Sequence, residues 1–446
     1  MSKVPSSQLS RASVVGSTAV KLGVGRLTTK AKRPFLNKEA QQLAKDKQED
    51  QAAAMLFKAI VQLRGTAAKL AQMLGMETDL LPQSLVDELS KSYHQIPPLN
   101  RVLVKKVIVR EFGQPPETFF ARFEPEAIAA ASLGQVHRAE LDCGTTVAVK
   151  VQYPGIEVSI QSDLKLLRTV ANSAIKLLPK QHQPTNAIID TTIDEIGARL
   201  EEEIDYRLEL ANTLWFKENL RIEGVQIPAV FHSYSSTRVL TTQMLDGQHL
   251  DDWLLTNPTQ EARDRAAQLI YDTFVYSTLE LGRLHADPNP GNYLFKVDGQ
   301  IALIDFGCVK KLSPRFTENL PKLLYSFYRN DFDMIVKAYE DIGMTIKVSS
   351  DFDYQAVVKN FGQWLSKPLK EDYFDFRENS NYTNSGLNLI KDLAEVPGLE
   401  TVEEDFIFFD RTLYGLFKVF ERLQAKVYLR GHWVKLWEEP LTAKDP

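Results

Sequence analysis

Cysteine is almost missing from this chain: Cys143 and Cys308 are the two in 446 residues, too few for a disulfide framework and without the spacing of a metal-ligand set. Such usage fits a reducing compartment. No apolar run reaches the roughly eighteen residues that a membrane-crossing helix needs. Acid is absent from the first 38 residues, where Lys3, Arg11, Lys21, Arg26, Lys30, Lys32, Arg33 and Lys38 all precede Glu39; with a net charge of −5, the remainder carries −13. This basic stretch has no aromatic residue before Phe35 and no base-reading motif, which argues against nucleic acid as a partner. Its apolar residues, among them Val14, Val20, Leu22 and Leu27, suit peripheral contact with an anionic membrane surface. A disordered tail or, in a eukaryotic cell, a transit peptide is the other reading.

What is present is enough for two or three domains with full cores, at 44% hydrophobic and 25% charged residues. After the tail (1–48), the apolar spacing of Leu56, Ile60, Leu63, Leu70 and Leu74 predicts a long amphipathic helix over Gln51 to Met76 and opens a helical extension (49–112). Strands are expected around Gly134 to Leu141 and Thr145 to Gln152, with a turn at Asp142-Cys143-Gly144. A single helix follows from about Asp194 to Phe216, then strands at Ile227 to Phe231 and Arg238 to Leu245. From Leu250 onward the pattern is almost wholly helical.

The chemistry is concentrated between Leu284 and Lys310, LHADPNPGNYLFKVDGQIALIDFGCVK. His285-Ala286-Asp287, with Asn292 five residues after the aspartate, matches the kinase catalytic loop H-R-D-x-x-x-x-N with its arginine replaced, and Asp305-Phe306-Gly307 follows a short apolar strand at Ile301 to Ile304. Phosphoryl transfer is mostly positioning and charge neutralisation. One carboxylate orients the attacking hydroxyl, which is the role expected of Asp287, while the amide oxygen of Asn292 and the carboxylate of Asp305 hold magnesium. A turn-rich loop would use the same residue types; the joint spacing and the strand leading into Asp305 favour the catalytic reading.

Upstream, Val147-Ala148-Val149-Lys150 matches the V-A-I-K strand whose lysine reaches ATP phosphates. Ala129-Ala130-Ala131-Ser132-Leu133-Gly134-Gln135-Val136 falls on the template G-x-G-x-x-G-x-V with Ala129 and Ala131 in place of its first two glycines. Each added methyl restricts the backbone that would approach phosphate, so the lid should be stiffer. Alone, this segment reads equally well as an Ala-rich helix start before a hairpin. Met244-Leu245-Asp246-Gly247 is expected to be the hinge between lobes, where backbone groups, those of Met244 and Leu245 among them, would read the adenine.

Together with AAASLGQVH running on to VAVKVQYPGI, two further segments make the chain resemble the UbiB, or aarF-domain, family of atypical kinases. Glu203-Ile204-Asp205-Tyr206 matches that family's ExD motif, and Lys69-Leu70-Ala71-Gln72 its KxGQ signature with Ala71 in place of glycine. The resemblance runs from about Gly65 past Asp305. It implies an α+β, two-lobed protein-kinase-like fold with an N-lobe over 113–246 and a mostly helical C-lobe over 247–446. It further implies ATP and Mg2+ as cofactors, a Lys150–Glu209 ion pair, and Glu203 and Asp205 facing the nucleotide, its metal or the KxGQ helix. Asp205 and Glu209 are expected on one helix face, Glu201 and Glu202 in solvent. Lys69 and Gln72 are expected to point into the cleft beside the nucleotide and exclude protein substrates.

Two absences sharpen this expectation. After Gly307 only Cys308 to Leu312 precede Ser313-Pro314, leaving no activation segment and no A-P-E triplet, and Asn289 stands where protein kinases place a lysine. Both point away from protein phosphorylation. The expected activity is ATP hydrolysis or phosphorylation of a small lipid-like molecule. The resemblance ties it to ubiquinone biosynthesis, with a quinone precursor as ligand and quinone-biosynthesis proteins as partners. It would act in the cytoplasm or at an inner membrane surface, or in mitochondria if the source is eukaryotic. A nucleotide-binding scaffold and, less favoured, a protein kinase are the alternatives.

Overall fold

The computed structural model describes residues 101–131, 133–175, 186–346, 354–386, 389, 399–401 and 403–442. The tail, the extension as far as residue 100 with Lys69 and Gln72, and Ser132 lie outside the described residues. Chain contacts divide the remainder into two compact units: the residues up to Leu208 with Phe231–Gln243, and Glu209–Val230 with everything from Met244 on.

The first unit is built on an antiparallel sheet. Its strands are β1 (Arg122–Ala131), β2 (Gly134–Glu140), β3 (Thr146–Gln152) and β5 (Val239–Gln243), in the order β1-β2-β3-β5; the short β4 (Val225–Gln226) belongs to the second unit. The alternation in β3 explains its two faces: Val147, Val149 and Val151 are fully buried, so Ala148 and Lys150 must emerge on the opposite side. Val104, Val107 and Ile108, at helical spacing in the helix Arg101–Phe112, join those valines in one core. Arg238 ties the unit together by donating from Nη1 to Glu111 at 2.9 Å and by pairing through Nη2 with Glu157 of the helix Ile156–Ile175. The β2–β3 turn forms where expected, with Gly144 at φ +80° and its N–H donating to Leu141 O at 2.8 Å.

Two elements depart from the sequence expectation. The single helix from Asp194 to Phe216 is two helices, Asn186–Glu203 and Tyr206–Asn219. The break occurs because Asp205 Oδ1 accepts from Arg207 N at 3.0 Å, a local carboxylate cap, and Tyr206 N–H donates to Thr237 O at 3.0 Å instead of to a helical carbonyl. Asp205 and Glu209 therefore do not share a helix face. The strand expected at Ile227–Phe231 is the two-residue β4, which ends before Pro228, a residue with no N–H to give to a ladder.

The second unit is mostly helical around a large aromatic core that includes Phe216, Trp253, Phe306, Phe316, Phe327 and Phe420. Short strands interrupt it: β6 (Arg283–His285) pairs with β9 (Val309–Lys311), β7 (Tyr293–Phe295) with β8 (Ile301–Leu303), and β4 runs parallel to β8. Ser313 caps the helix Pro314–Arg329 by accepting from Phe316 N at 3.2 Å, with Pro314 at the first helical position. Among the described residues no helix is long and apolar enough to cross a membrane.

Candidate functional site

In the second unit two strand pairs hold the polar residues. The β6–β9 ladder places His285 opposite Val309, and Ala286 N–H donates to Cys308 O at 2.9 Å. His285, 6% exposed, donates from Nε2 to Asp305 O at 2.7 Å and stands edge-on to Phe306 at 5.6 Å. The first histidine of the loop is thus a strut that joins it to the DFG backbone.

Asp287 opens a turn in which its carboxylate accepts from Asn289 N at 3.2 Å, while Asn289 Oδ1 accepts from Gly291 N at 2.9 Å. Asn292 ends the short 3-10 turn Pro290–Asn292. Its Nδ2 donates to Asp287 O at 3.2 Å and its backbone O accepts from Ile304 N at 3.0 Å. With the amide nitrogen engaged, the amide oxygen is the end turned away from that carbonyl, which is the orientation a cation would use. Asp305 Oδ1 accepts from Gly307 N at 2.9 Å. Asp287 and Asn292 are each 8% exposed, so polar side chains are held at the edge of burial by backbone partners.

Glu209, 5% exposed, sits in the first turn of Tyr206–Asn219, and a Cβ built on Gly307 would lie 3.8 Å from its Oε2 and 3.2 Å from Asp305 Oδ1. Both carboxylates therefore border the DFG glycine. One turn further along that helix, Asn212 donates from Nδ2 to Phe306 O at 3.1 Å. Pro288 lies against Gly415 of the helix Glu404–Leu423, where a Cβ would meet the Pro288 Cβ at 2.7 Å. Asn212, Pro288 and Gly415 were not among the sequence candidates. Asn212 stands three residues from Glu209 on a helix, a spacing that could have pointed to it; nothing local marks Gly415.

In the first unit, Ala129, Ala130 and Ala131 are strand, paired with Val136, Gln135 and Gly134 of β2, and not the helix start that the alanines also suggested. Gly134 is required by packing: a Cβ there would collide with Val151 O and lie 2.8 Å from the Tyr206 hydroxyl. Lys150 pairs in register with Val136 and with Leu240, and its ammonium stands 5.2 Å from the centroid of the Tyr206 ring. Glu203 is half-buried at the end of its helix, and Glu201 and Glu202 are exposed as expected. Met244 and Leu245 follow β5 as half-buried residues without regular structure.

The β1–β2 pair contains a polar chain that the sequence reading missed. Gln135 Nε2 donates to His137 Nε2 at 2.8 Å, so His137 carries its proton on Nδ1 and donates to Glu124 O at 2.9 Å. Both side chains are buried, and burial pushes the His137 pKa below its usual 6.5. Glu124 lies where the β1–β2 register shifts between Phe123 and Ala127, so His137 fastens this irregularity.

Residues 91–339 match the ABC1 atypical kinase-like domain. The chain is 34% identical over 299 residues to the chloroplast protein Activity of bc1 complex kinase 8 of Arabidopsis thaliana, a match covering 66% of this chain and 39% of that protein. It is 31% identical over 326 residues to an uncharacterized protein of Synechocystis, covering 69% of this chain and 78% of the other. The matches span less than half the length of the chloroplast relatives, at 39%, 48% and 41% of three of them. A Mycobacterium tuberculosis protein solved as an erythromycin complex has the same fold, with a TM-score of 0.60 and 23% identity over 86% of this chain and 94% of that one. A catalytic-loop and DFG pair laid out on short strands, a V-A-V-K strand in an antiparallel sheet, and a domain match over more than half the residues place this chain in the ABC1, or UbiB/aarF, family of atypical kinases.

Proposed function

We propose that the protein binds Mg-ATP and hydrolyses it or transfers its terminal phosphoryl group to a small lipid-like acceptor in isoprenoid-quinone metabolism. The observation that carries the reading is the catalytic loop itself: Asp287, Asn292 and Asp305 are joined through Asn292 Nδ2 to Asp287 O, Ile304 N to Asn292 O and His285 to Asp305 O. The donor set of one amide oxygen and one carboxylate fits magnesium, which keeps waters and substrate phosphates as its remaining ligands and needs no cluster of protein acids. When bound, the ion would neutralise charge on the phosphates. Asp287 would accept the proton of the attacking hydroxyl or water, and Lys150 would offer its ammonium to phosphate.

The short stretch from Cys308 to Leu312 before the helix at Pro314 supports a small acceptor over a protein one, because a peptide lacks the platform on which it is normally laid out. The quinone assignment rests on family membership, and the chloroplast names of the relatives support an organellar setting. The test uses purified protein. ATP should raise the melting temperature only with magnesium, and Asp305→Asn should abolish the shift. Slow phosphate release should disappear in Asp287→Asn, and that variant should fail to restore quinone levels in a deletion strain. Equal stabilisation without metal, or rescue by Asp287→Asn, would defeat the proposal.

A further inference from the structure

Tyr206 closes the Glu-Ile-Asp-Tyr segment, and the two carboxylates before it draw attention away from it. Its side chain is 2% exposed, and three independent contacts within the first unit decide where it stands. Its N–H donates to Thr237 O at 3.0 Å, which pins the backbone to the approach of β5. Its hydroxyl lies so close to the start of β2 that a Cβ on Gly134 would be 2.8 Å away. Its ring lies 5.2 Å from the ammonium of Lys150, inside the range in which the electron-rich face of an aromatic ring attracts a cation. A buried ring with its backbone pinned has little room to follow the lysine, so the lysine must come to the ring.

We propose that Tyr206 is a positioning residue for Lys150, presenting a fixed aromatic face that sets where the ammonium stands before nucleotide arrives. The inference rests on the reading of Lys150 as the phosphate-contacting cation. A lysine has four rotatable bonds and no fork geometry of its own, so the site of its charge is decided by what surrounds it. Placing that charge in advance removes a reorganisation step that would otherwise accompany phosphate binding. The same ring connects the hairpin glycine to the lysine: Gly134, having no side chain, leaves room for the hydroxyl at one edge of the ring while Lys150 stands over its face.

A buried tyrosine with a purely structural role would be indifferent to the charge on its ring face, and this separates the two ideas. Tyr206→Phe, followed by phenylalanines of the same outline carrying increasing numbers of fluorines, withdraws electron density from the ring with little change in shape. Calorimetry on the full chain should show Mg-ATP binding weaken stepwise through the series, by roughly three- to tenfold in total. Adenosine, which has no phosphate, should bind equally throughout, and Tyr206→Phe should stay close to the unsubstituted protein. In parallel, acylation of Lys150 by an amine-reactive reagent without nucleotide, read by mass spectrometry, should accelerate with fluorination as the attraction of the ring face for the charged amine weakens. Unchanged ATP affinity across the series, or equal loss of ATP and adenosine, would overturn the proposal. If the unsubstituted protein bound no ATP while the acylation trend held, the Tyr206–Lys150 contact would stand and the nucleotide reading would fall; a flat acylation trend would overturn the contact.

Discussion

Gly134 shows how much a single position can owe to residues distant in sequence. As a sequence feature it is the one glycine surviving in a degenerate phosphate-loop template, and its conformational freedom looks like the reason. Its φ is not in the left-handed region; the constraint is space, set by Val151 O and the Tyr206 hydroxyl. Gly134→Ala should therefore cost about 1–3 kcal/mol by overpacking against a backbone atom that cannot rotate away, read as a lower urea midpoint with unchanged slope. An unchanged midpoint would mean the hairpin yields easily. Asn212 teaches the same point in the second unit. Its amide holds Phe306 O at 3.1 Å, and its only sequence signal is helical proximity to Glu209.

Elements carry the next level of information, and their ends are where sequence reading went astray. The sequence reads as a single helix from about Asp194 to Phe216, yet a carboxylate cap at Asp205 and an N–H donated to Thr237 divide it. The cap competes with the helix for the same backbone donors, and a contact to another strand decides the competition. The helix Glu404–Leu423 has a comparable hidden role, since its Gly415 receives Pro288 beside Asp287. Gly415→Ala should push the proline ring and shift Asp287, and displacement of this kind costs catalysis more than it costs folding. The expected result is a fall in phosphate release of roughly tenfold or more with helix content unchanged. Full activity in this variant would show that the helix does not position the loop.

Over the whole molecule, stability should depend on pH through buried groups that are not part of the catalytic motifs. His137 is neutral in the folded first unit because burial lowers its pKa below 6.5, and protonation would also remove the acceptor that Gln135 uses. A histidine with a depressed folded pKa binds its proton more readily when unfolded, so its contribution is fully present above about 6.5 and is lost as pH falls below it. Asp410 in the second unit acts in the opposite sense, because burial raises its pKa from 3.8 to about 6, and the folded state is favoured on the acid side of that interval. The comparison that isolates His137 is His137→Gln. Relative to this variant, the unsubstituted protein should lose melting temperature between pH 7 and pH 5, and parallel curves would contradict the assignment.

The sequence by itself determined the family, the α+β kinase-like class, the strand that presents Lys150 and the loop that carries Asp287, Asn292 and Asp305. It could do so because these depend on short-range rules: alternation in a strand, turn chemistry, and residue types at fixed spacing that phosphoryl transfer requires. The tertiary structure alone decided that the Asp194–Phe216 stretch breaks, that the alanine-rich segment is strand, that His285 braces Asp305, and that Asn212, Gly415 and Tyr206 stand beside the motif residues. These facts arise from contacts between segments far apart along the chain. Backbone donors there choose among competing partners, and the space left by one residue is set by another that no local pattern identifies.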